Sequence, residues 1–310
     1  MPTSEKLGYD LGMAALNGDI TMVRRLLAAG ADLEVQVPVM QNLVIMMTPL
    51  HAAIFNNHEI IVKLLLDAGV DVDARQCTGE TPLHCCAMEG QVDILVLLIN
   101  AGADPMLTAA GGRTPLHVVA EWGNHRETRS LQDAATKVIS QGTKGNDPPL
   151  LENGKGINAT MKHSAEDMAF EAFKARMNEI AQLLLDAGVD PDMPDETGCS
   201  AMSYAITSAN DQIVRTMVAA EANVNCMAQQ GVSGVFMTAM MGSTSTLDII
   251  LEAGASPHLT DGIHPTPVQI AIIQGQPECL ALLLAAGGDP TEAYKPAPGG
   301  FNARLRERLR

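Results

Sequence analysis

Aromatic residues are scarce, with one Trp, three Tyr and five Phe making up 3% of a 310-residue chain. A core of that composition has to be closed by Leu, Ile, Val and Ala, which suits helices packed at close range. Long hydrophobic runs are missing too: no stretch reaches the roughly 18 apolar residues a membrane helix needs, and Met1 to Asp10 holds no hydrophobic segment. Neither a membrane span nor a secretory signal is expected, and an intracellular, cytoplasmic location is. Positive charge is in short supply, with 20 Lys and Arg against 36 Asp and Glu and a net charge of −16. That balance disfavours nonspecific nucleic-acid binding and suits a protein partner with a basic patch. The six cysteines include no C-x-x-C pair: Cys85 and Cys86 are adjacent, and Cys77, Cys199, Cys226 and Cys279 lie far apart. Neither a disulfide framework nor a zinc site is indicated, and no metal or cofactor is expected.

What is present is a hydrophobic content of 46%, enough to exclude a disordered chain, and a repeated pattern. Thr81 to Pro105 reads TPLHCCAMEGQVDILVLLINAGADP. Thr81 suits a helix N-cap and Pro82 the first helical position, and Gly90 ends this short helix. A second helix carries Val92, Leu95, Val96, Leu98 and Ile99 on a broad apolar face and stops at Gly102. Two helices this short cannot bury their faces alone and require copies. The copies are spaced by 33 residues, from Gly69 to Gly102 and again from Gly188 through Glu221 and Gly254 to Gly287. Gly30 to Gly69 is 39 residues, 6 more than the period, and Gly102 to Gly188 is 86, or 33 plus 53. The helix starts placed by this register are Tyr9, Thr48, Thr81, Thr114, Ser200, Ser233 and Thr266.

The units resemble ankyrin repeats. The T-P-L-H tetrad stands at Thr48 to His51, Thr81 to His84 and Thr114 to His117, and the L-L-L-x-x-G-A-D tail at Leu64 to Asp71, Leu97 to Asp104, Leu183 to Asp190 and Leu282 to Asp289. The resemblance implies an all-α solenoid of about seven helix-pair repeats with projecting β-turns or hairpins, forming one domain over residues 1–310. The repeats fall near 5–33, 46–73, 79–106, 112–191, 198–224, 231–257 and 264–290, with a long insertion, 125–175, in the fourth and a tail or cap at 291–310. It also implies that the tetrad histidines bond the backbone of neighbouring turns. Side chains just before the glycine that ends each first helix are expected to face the concave surface. By position those pairs are Leu16 and Asn17, Phe55 and Asn56, Met88 and Glu89, Glu121 and Trp122, Thr207 and Ser208, Met240 and Met241, and Ile273 and Gln274. The partner-contact candidates among them are Phe55, Asn56, Met88, Glu89, Glu121, Trp122, Thr207, Ser208, Met240 and Met241. Packing against a neighbouring helix is the competing role for Trp122, Met240 and Met241.

The segments particular to this chain carry further expectations. Val35, Val37 and Val39 alternate with polar residues before Leu43 to Met47, suggesting an elongated hairpin, either buried on the next unit or exposed to a partner. In the insertion, Ser130 to Gln141 fits a short amphipathic helix, 142–163 reads as loop, and Ser164 fits a new helix start leading through Phe170, Phe173 and Met177. Gly154-Lys155-Gly156 lacks the glycine spacing and following Ser or Thr of a phosphate loop, and His125, His163, Glu166 and Asp167 read as solvated. The tail holds Arg304, Arg306, Arg308 and Arg310 beside Leu305 and Leu309, fitting a helical cap or a basic arm. The fifth and sixth units, which lack the tetrad Pro and His, are expected to be locally less stable. The function indicated is that of a scaffold or adaptor binding a partner protein through the concave groove and the insertion. The alternative is an ankyrin-fold enzyme or small-molecule binder with a pocket between them.

Overall fold

The computed structural model describes residues 4–38, 46–121, 159–227, 231–260 and 264–291, with backbone alone for 159–169. Fourteen α-helices run through them: α1 (Ser4–Asn17), α2 (Ile20–Ala28), α3 (Pro49–Phe55), α4 (Glu59–Asp67), α5 (Pro82–Glu89), α6 (Val92–Asn100), α7 (Pro115–Glu121), α8 (Ala159–Asp186), α9 (Ala201–Thr207), α10 (Asp211–Ala219), α11 (Gly234–Met241), α12 (Thr244–Glu252), α13 (Pro267–Gln274) and α14 (Pro277–Ala285). Odd-numbered helices stack in one row and even-numbered helices in a second, each odd helix packing on the even helix that follows it. One continuous core runs from Leu11 to Leu283 between the rows, filled almost wholly by aliphatic side chains, with Phe236 the one buried Phe, Tyr or Trp in it among the described residues.

Helix starts follow the predicted register. Thr48, Ser200, Ser233 and Thr266 are N-caps in extended backbone whose side-chain oxygens accept from the N–H three residues on. Two starts differ from expectation. The first helix begins at Ser4, not after Tyr9. The helix expected from Ser164 already runs from Ala159, so Ser164 is interior. Shifting α6 by 86 residues lands on 178–186, so α8 extends its counterpart by 19 residues at the N-terminal end, about 28 Å of added helix. Phe173 on that extension lies across Gly90 at the end of α5, where an added Cβ would come within 2.9 Å of its ring.

The predicted hairpin is present at its base. β1 (Val37–Pro38) pairs antiparallel with β2 (Met46–Met47), Val37 opposite Met47. Both residues are buried against Met13, Leu16 and Phe55. The close approach depends on Gly8 and Gly12 of α1, where an added Cβ would come 2.6 Å from Val35 and Val37 respectively. The expected helix at Ser130 to Gln141, residues 39–45 and the arginine-bearing tail lie outside the described residues.

Each helix pair ends on a residue in the left-handed backbone region. Gly69, Gly102, Gly188, Gly254 and Gly287 have φ between 82° and 93°, and Glu221 takes the same place at φ 60°. Space around the glycines is open, so a side chain fits there and only the backbone is strained. Ala209, at φ 51°, adds a second strained residue to the same helix pair. Glu221→Gly is therefore expected to stabilise the protein by up to about 1 kcal/mol. A urea midpoint that stays put or falls would show that the Glu221 side chain stabilises the fold by more than its backbone costs.

Candidate functional site

Thr48, Thr81 and Thr114 each place Oγ1 2.8 Å from Nδ1 of His51, His84 and His117. The opposite ring nitrogen reaches the next unit: Nε2 lies 3.2 Å from the Glu80 carbonyl, 2.9 Å from that of Arg113 and 3.2 Å from that of Cys199. A carbonyl only accepts, so Nε2 carries the hydrogen and donates it, leaving Nδ1 as the acceptor. The backbone N–H groups of Thr81 and Thr114 also donate to Nδ1. Burial pushes His51 and His84 down to about 4 despite the attraction of Glu80, and lowers His117 despite Asp195. The rings are neutral scaffold elements, saturated on both nitrogens, and among the described residues no group of His, Cys, Asp and Glu is arranged to hold a metal.

A second set of bonds runs along the loops. Asp73 accepts from the Asp104 N–H, Asp192 from that of Asn223, and Asn225 from that of Ser256, each across 31 residues. Glu34 does the same for Asp71 across the longer first loop. Two residues before each acceptor, Asp32, Asp71, Asp190 and Asn223 fold the loop by accepting from the N–H of the acceptor itself. Every second loop residue thus shapes its own turn or ties down the next. This ladder is acidic in its first half and amide or hydroxyl in its last links. Burial, with repulsion from neighbouring carboxylates, raises Glu34 and Asp73 above the usual carboxylate range, partly offset by the N–H each accepts.

The junction between α7 and α9 has its own polar network. Arg113 pairs with Glu121 and lies 5.2 Å over the Tyr204 ring. Tyr204 donates to Asp195 Oδ2 at 2.7 Å, while Asp195 Oδ1 accepts from Thr197 and Cys199. These bonds hold the Asp195 carboxyl below its usual range although burial opposes them, and burial together with Asp195 raises the Tyr204 hydroxyl. The Asp195 side chain is consumed in shaping the turn before α9.

Residues 11–109 match a family described as ankyrin repeats in three copies. The chain is 30% identical over 112 residues to SH3 and multiple ankyrin repeat domains protein 2 of Homo sapiens, covering 35% of this chain and 6% of that one. It is 25% identical over 113 residues to a putative ankyrin repeat-containing protein of Treponema pallidum, covering 36% and 38%. Over 147 residues it is 29% identical to the putative ankyrin repeat protein YahD of Escherichia coli, covering 34% and 72%. The chain is thus similar to ankyrin repeat proteins, with ankyrin repeats matched over residues 11–109. It spans well under two thirds of the first two relatives.

Within this ankyrin array the residues expected at the groove divide. Phe55 is half-buried beneath the hairpin, packed with Val37 and Met47. Asn56 Nδ2 donates to the Leu16 carbonyl at 2.6 Å, tying α3 to α1. Glu121 is paired to Arg113, and its carbonyl accepts from Ser208 Oγ at 3.0 Å, which leaves Ser208 buried. Thr207 is half-buried with its hydroxyl on the Tyr204 carbonyl of its own helix. Met240 packs partly on the core. Met88 is half-buried, Glu89 exposed and Met241 39% exposed. Trp122 lies outside the described residues. Sequence reasoning passed over the loop ladder, although its signal is plain: an Asp or Asn pair spaced by one residue recurs at Asp71 and Asp73, Asp190 and Asp192, and Asn223 and Asn225.

Asp73→Asn keeps the acceptor that Asn225 already uses and removes the repelled charge. A carboxyl raised in the folded state holds its proton more tightly there than in the unfolded chain, so its charge costs stability as pH rises through the carboxylate range. Asp73→Asn is expected to melt no lower than the parent at pH 7, with any gain vanishing at acid pH. Asp73→Ala should lose about 1 kcal/mol, the worth of the bond to Asp104. Paired urea titrations at pH 7 and pH 4 read both effects.

Proposed function

We propose that the chain is a protein-binding scaffold of about seven ankyrin repeats, the fourth interrupted by an insertion over 125–175, with the partner seated across the ends of the odd-numbered helices. The supporting observation is the contrast between two registers. Interior positions of these helices repeat the same small or aliphatic residues, such as Ala52, Ala53, Cys85, Cys86, Val119 and Ala120, all buried. At the ends, the same register exposes the unlike residues Asn17, Glu89, Met241 and Gln274, with Met88 half-buried beside Glu89. Fixed framework with changing exposed chemistry is the arrangement a recognition surface needs.

Charge supports a basic partner. The loop edge carries Asp71, Asp73, Asp104, Asp190 and Asp192 on a chain of net charge −16, which attracts a cationic protein surface and repels a phosphate backbone. Among the described residues no helix is long and apolar enough to cross a membrane. The chain is also 34% identical over 140 residues to palmitoyltransferase AKR1 of Lachancea kluyveri. That alignment covers 18% of the transferase and brings none of its activity here.

Affinity capture with the full chain, followed by quantitative binding to the captured protein, tests the proposal. Met88→Ala with Glu89→Ala, and separately Met241→Ala, are expected to weaken binding about 5- to 30-fold each with helical circular dichroism unchanged. Trp122→Ala, at the same register, carries the same expectation. Loss of helicity alongside binding would make these packing residues instead, and a small molecule retained with no captured protein would overturn the scaffold reading.

A further inference from the structure

We propose that the array is divided into an acid-labile part, residues 48–121, and an acid-resistant part, residues 201–285, so that mild acid opens the first while the second stays folded. The division follows from which side chain bridges consecutive units. In the first part the tetrad of each unit bridges to the next through a buried imidazole. The equivalent positions in the second part hold Ser203, Phe236 and Gln269, none of which titrates. There the bridging bond at the sixth repeat comes from Ser233 Oγ to the Leu259 carbonyl at 2.9 Å, and the last tetrad is closed by Gln269 Oε1 accepting from the Thr266 N–H.

At His84 and His117 the geometry opposes protonation in place. A second ring proton would sit on Nδ1, where the fixed backbone N–H groups of Thr81 and Thr114 already point at 3.3 and 3.2 Å. At His51 the Thr48 hydroxyl lies 2.8 Å from Nδ1 and also accepts from the His51 N–H, and protonation would require it to turn from donor to acceptor toward the ring. At His84 and His117 two hydrogens cannot share that site, so a doubly protonated ring must give up the backbone bond.

The charges around each ring do not reverse this. His51 faces Glu80 and His84, while His84 faces Glu80, Arg75 and Arg113. His117 faces Asp195 and Arg113, with the Tyr204 ring edge-on at 6.0 Å. Glu80 and Asp195 favour an imidazolium, the arginines oppose it, and burial outweighs both. The folded rings hold protons less tightly than the unfolded chain, so stability is lost as pH falls below about 6.5, the ordinary histidine value, toward 4. For His51 and His84 the linkage raises the opening constant roughly 20-fold each between pH 7 and pH 5.

Hydrogen exchange read by mass spectrometry on the full chain at pH 7, 6 and 5, with times scaled for the pH dependence of chemical exchange, tests the division. Protection of peptides from 82–121 is expected to fall at least tenfold further between pH 7 and pH 5 than that of peptides from 234–285. Parallel loss, or greater loss in 234–285, overturns the proposal. Because the change with pH is compared, a difference between the parts at pH 7 does not matter. His84→Gln, which imports the glutamine of the last tetrad, should reduce the pH-dependent loss in 82–121; an undiminished loss overturns the assignment to the rings. Ring-resolved NMR titration needs no variant: His51, His84 and His117 should stay neutral until exchange protection is lost. Smooth protonation near pH 6.5 within a protected segment refutes the proposal.

Discussion

The array hangs on a requirement of its own backbone. Each odd-numbered helix begins beside the loop that precedes the next one, and that loop presents a carbonyl with no helical partner. Wherever the tetrad is complete, a buried imidazole meets it, fastened to its own cap threonine on one side and donating across the gap on the other. The ring is a rigid spacer of the right length with an acceptor and a donor on opposite edges, which few side chains offer. It must be neutral to do this, so burial and function as a bridge are the same constraint. The caps, the small residues that let α3, α5 and α7 approach, and the continuous aliphatic core all follow from holding successive units at that distance.

Loops solve the complementary problem on the other side. They cannot enter the core and still have backbone N–H groups to satisfy, so short acids and amides answer each other from unit to unit. The ladder and the histidine bridges are independent systems of nearest-neighbour bonds, which is how a chain with no long-range closure remains ordered along its length. Where the histidines give way, over α9 to α12, the strained Ala209 and Glu221 occur as well, while Ser233 and the Asn225 link continue the bonding by other means.

Departures from regularity cluster where the chain is individual. The hairpin over α1 and α3 covers Phe55, a position that the repeat register assigns to the groove, and the long α8 carries Phe173 back over Gly90. The hairpin roofs an aromatic side chain of α3, and α8 lays one of its own over the end of α5. On the proposed scaffold reading, the surface left for a partner is narrower than the register implies and shifts toward Met88, Glu89 and Met241.

Period, caps and the left-handed stops were legible in the sequence because each is a local demand: a hydroxyl at the N-cap, proline after it, glycine where φ is positive, at intervals set by the length of one unit. The histidine bridge was legible through its tetrad. Tertiary structure alone decided the rest, because it depended on which side chains meet across more than thirty residues. Nothing in the string Phe55-Asn56 tells that one is roofed by Val37 and the other spent on Leu16, or that Glu121 and Ser208, 87 residues apart, share a hydrogen bond. Local chemistry determined the repeating unit; only the stacking of units determined which surface was left uncovered.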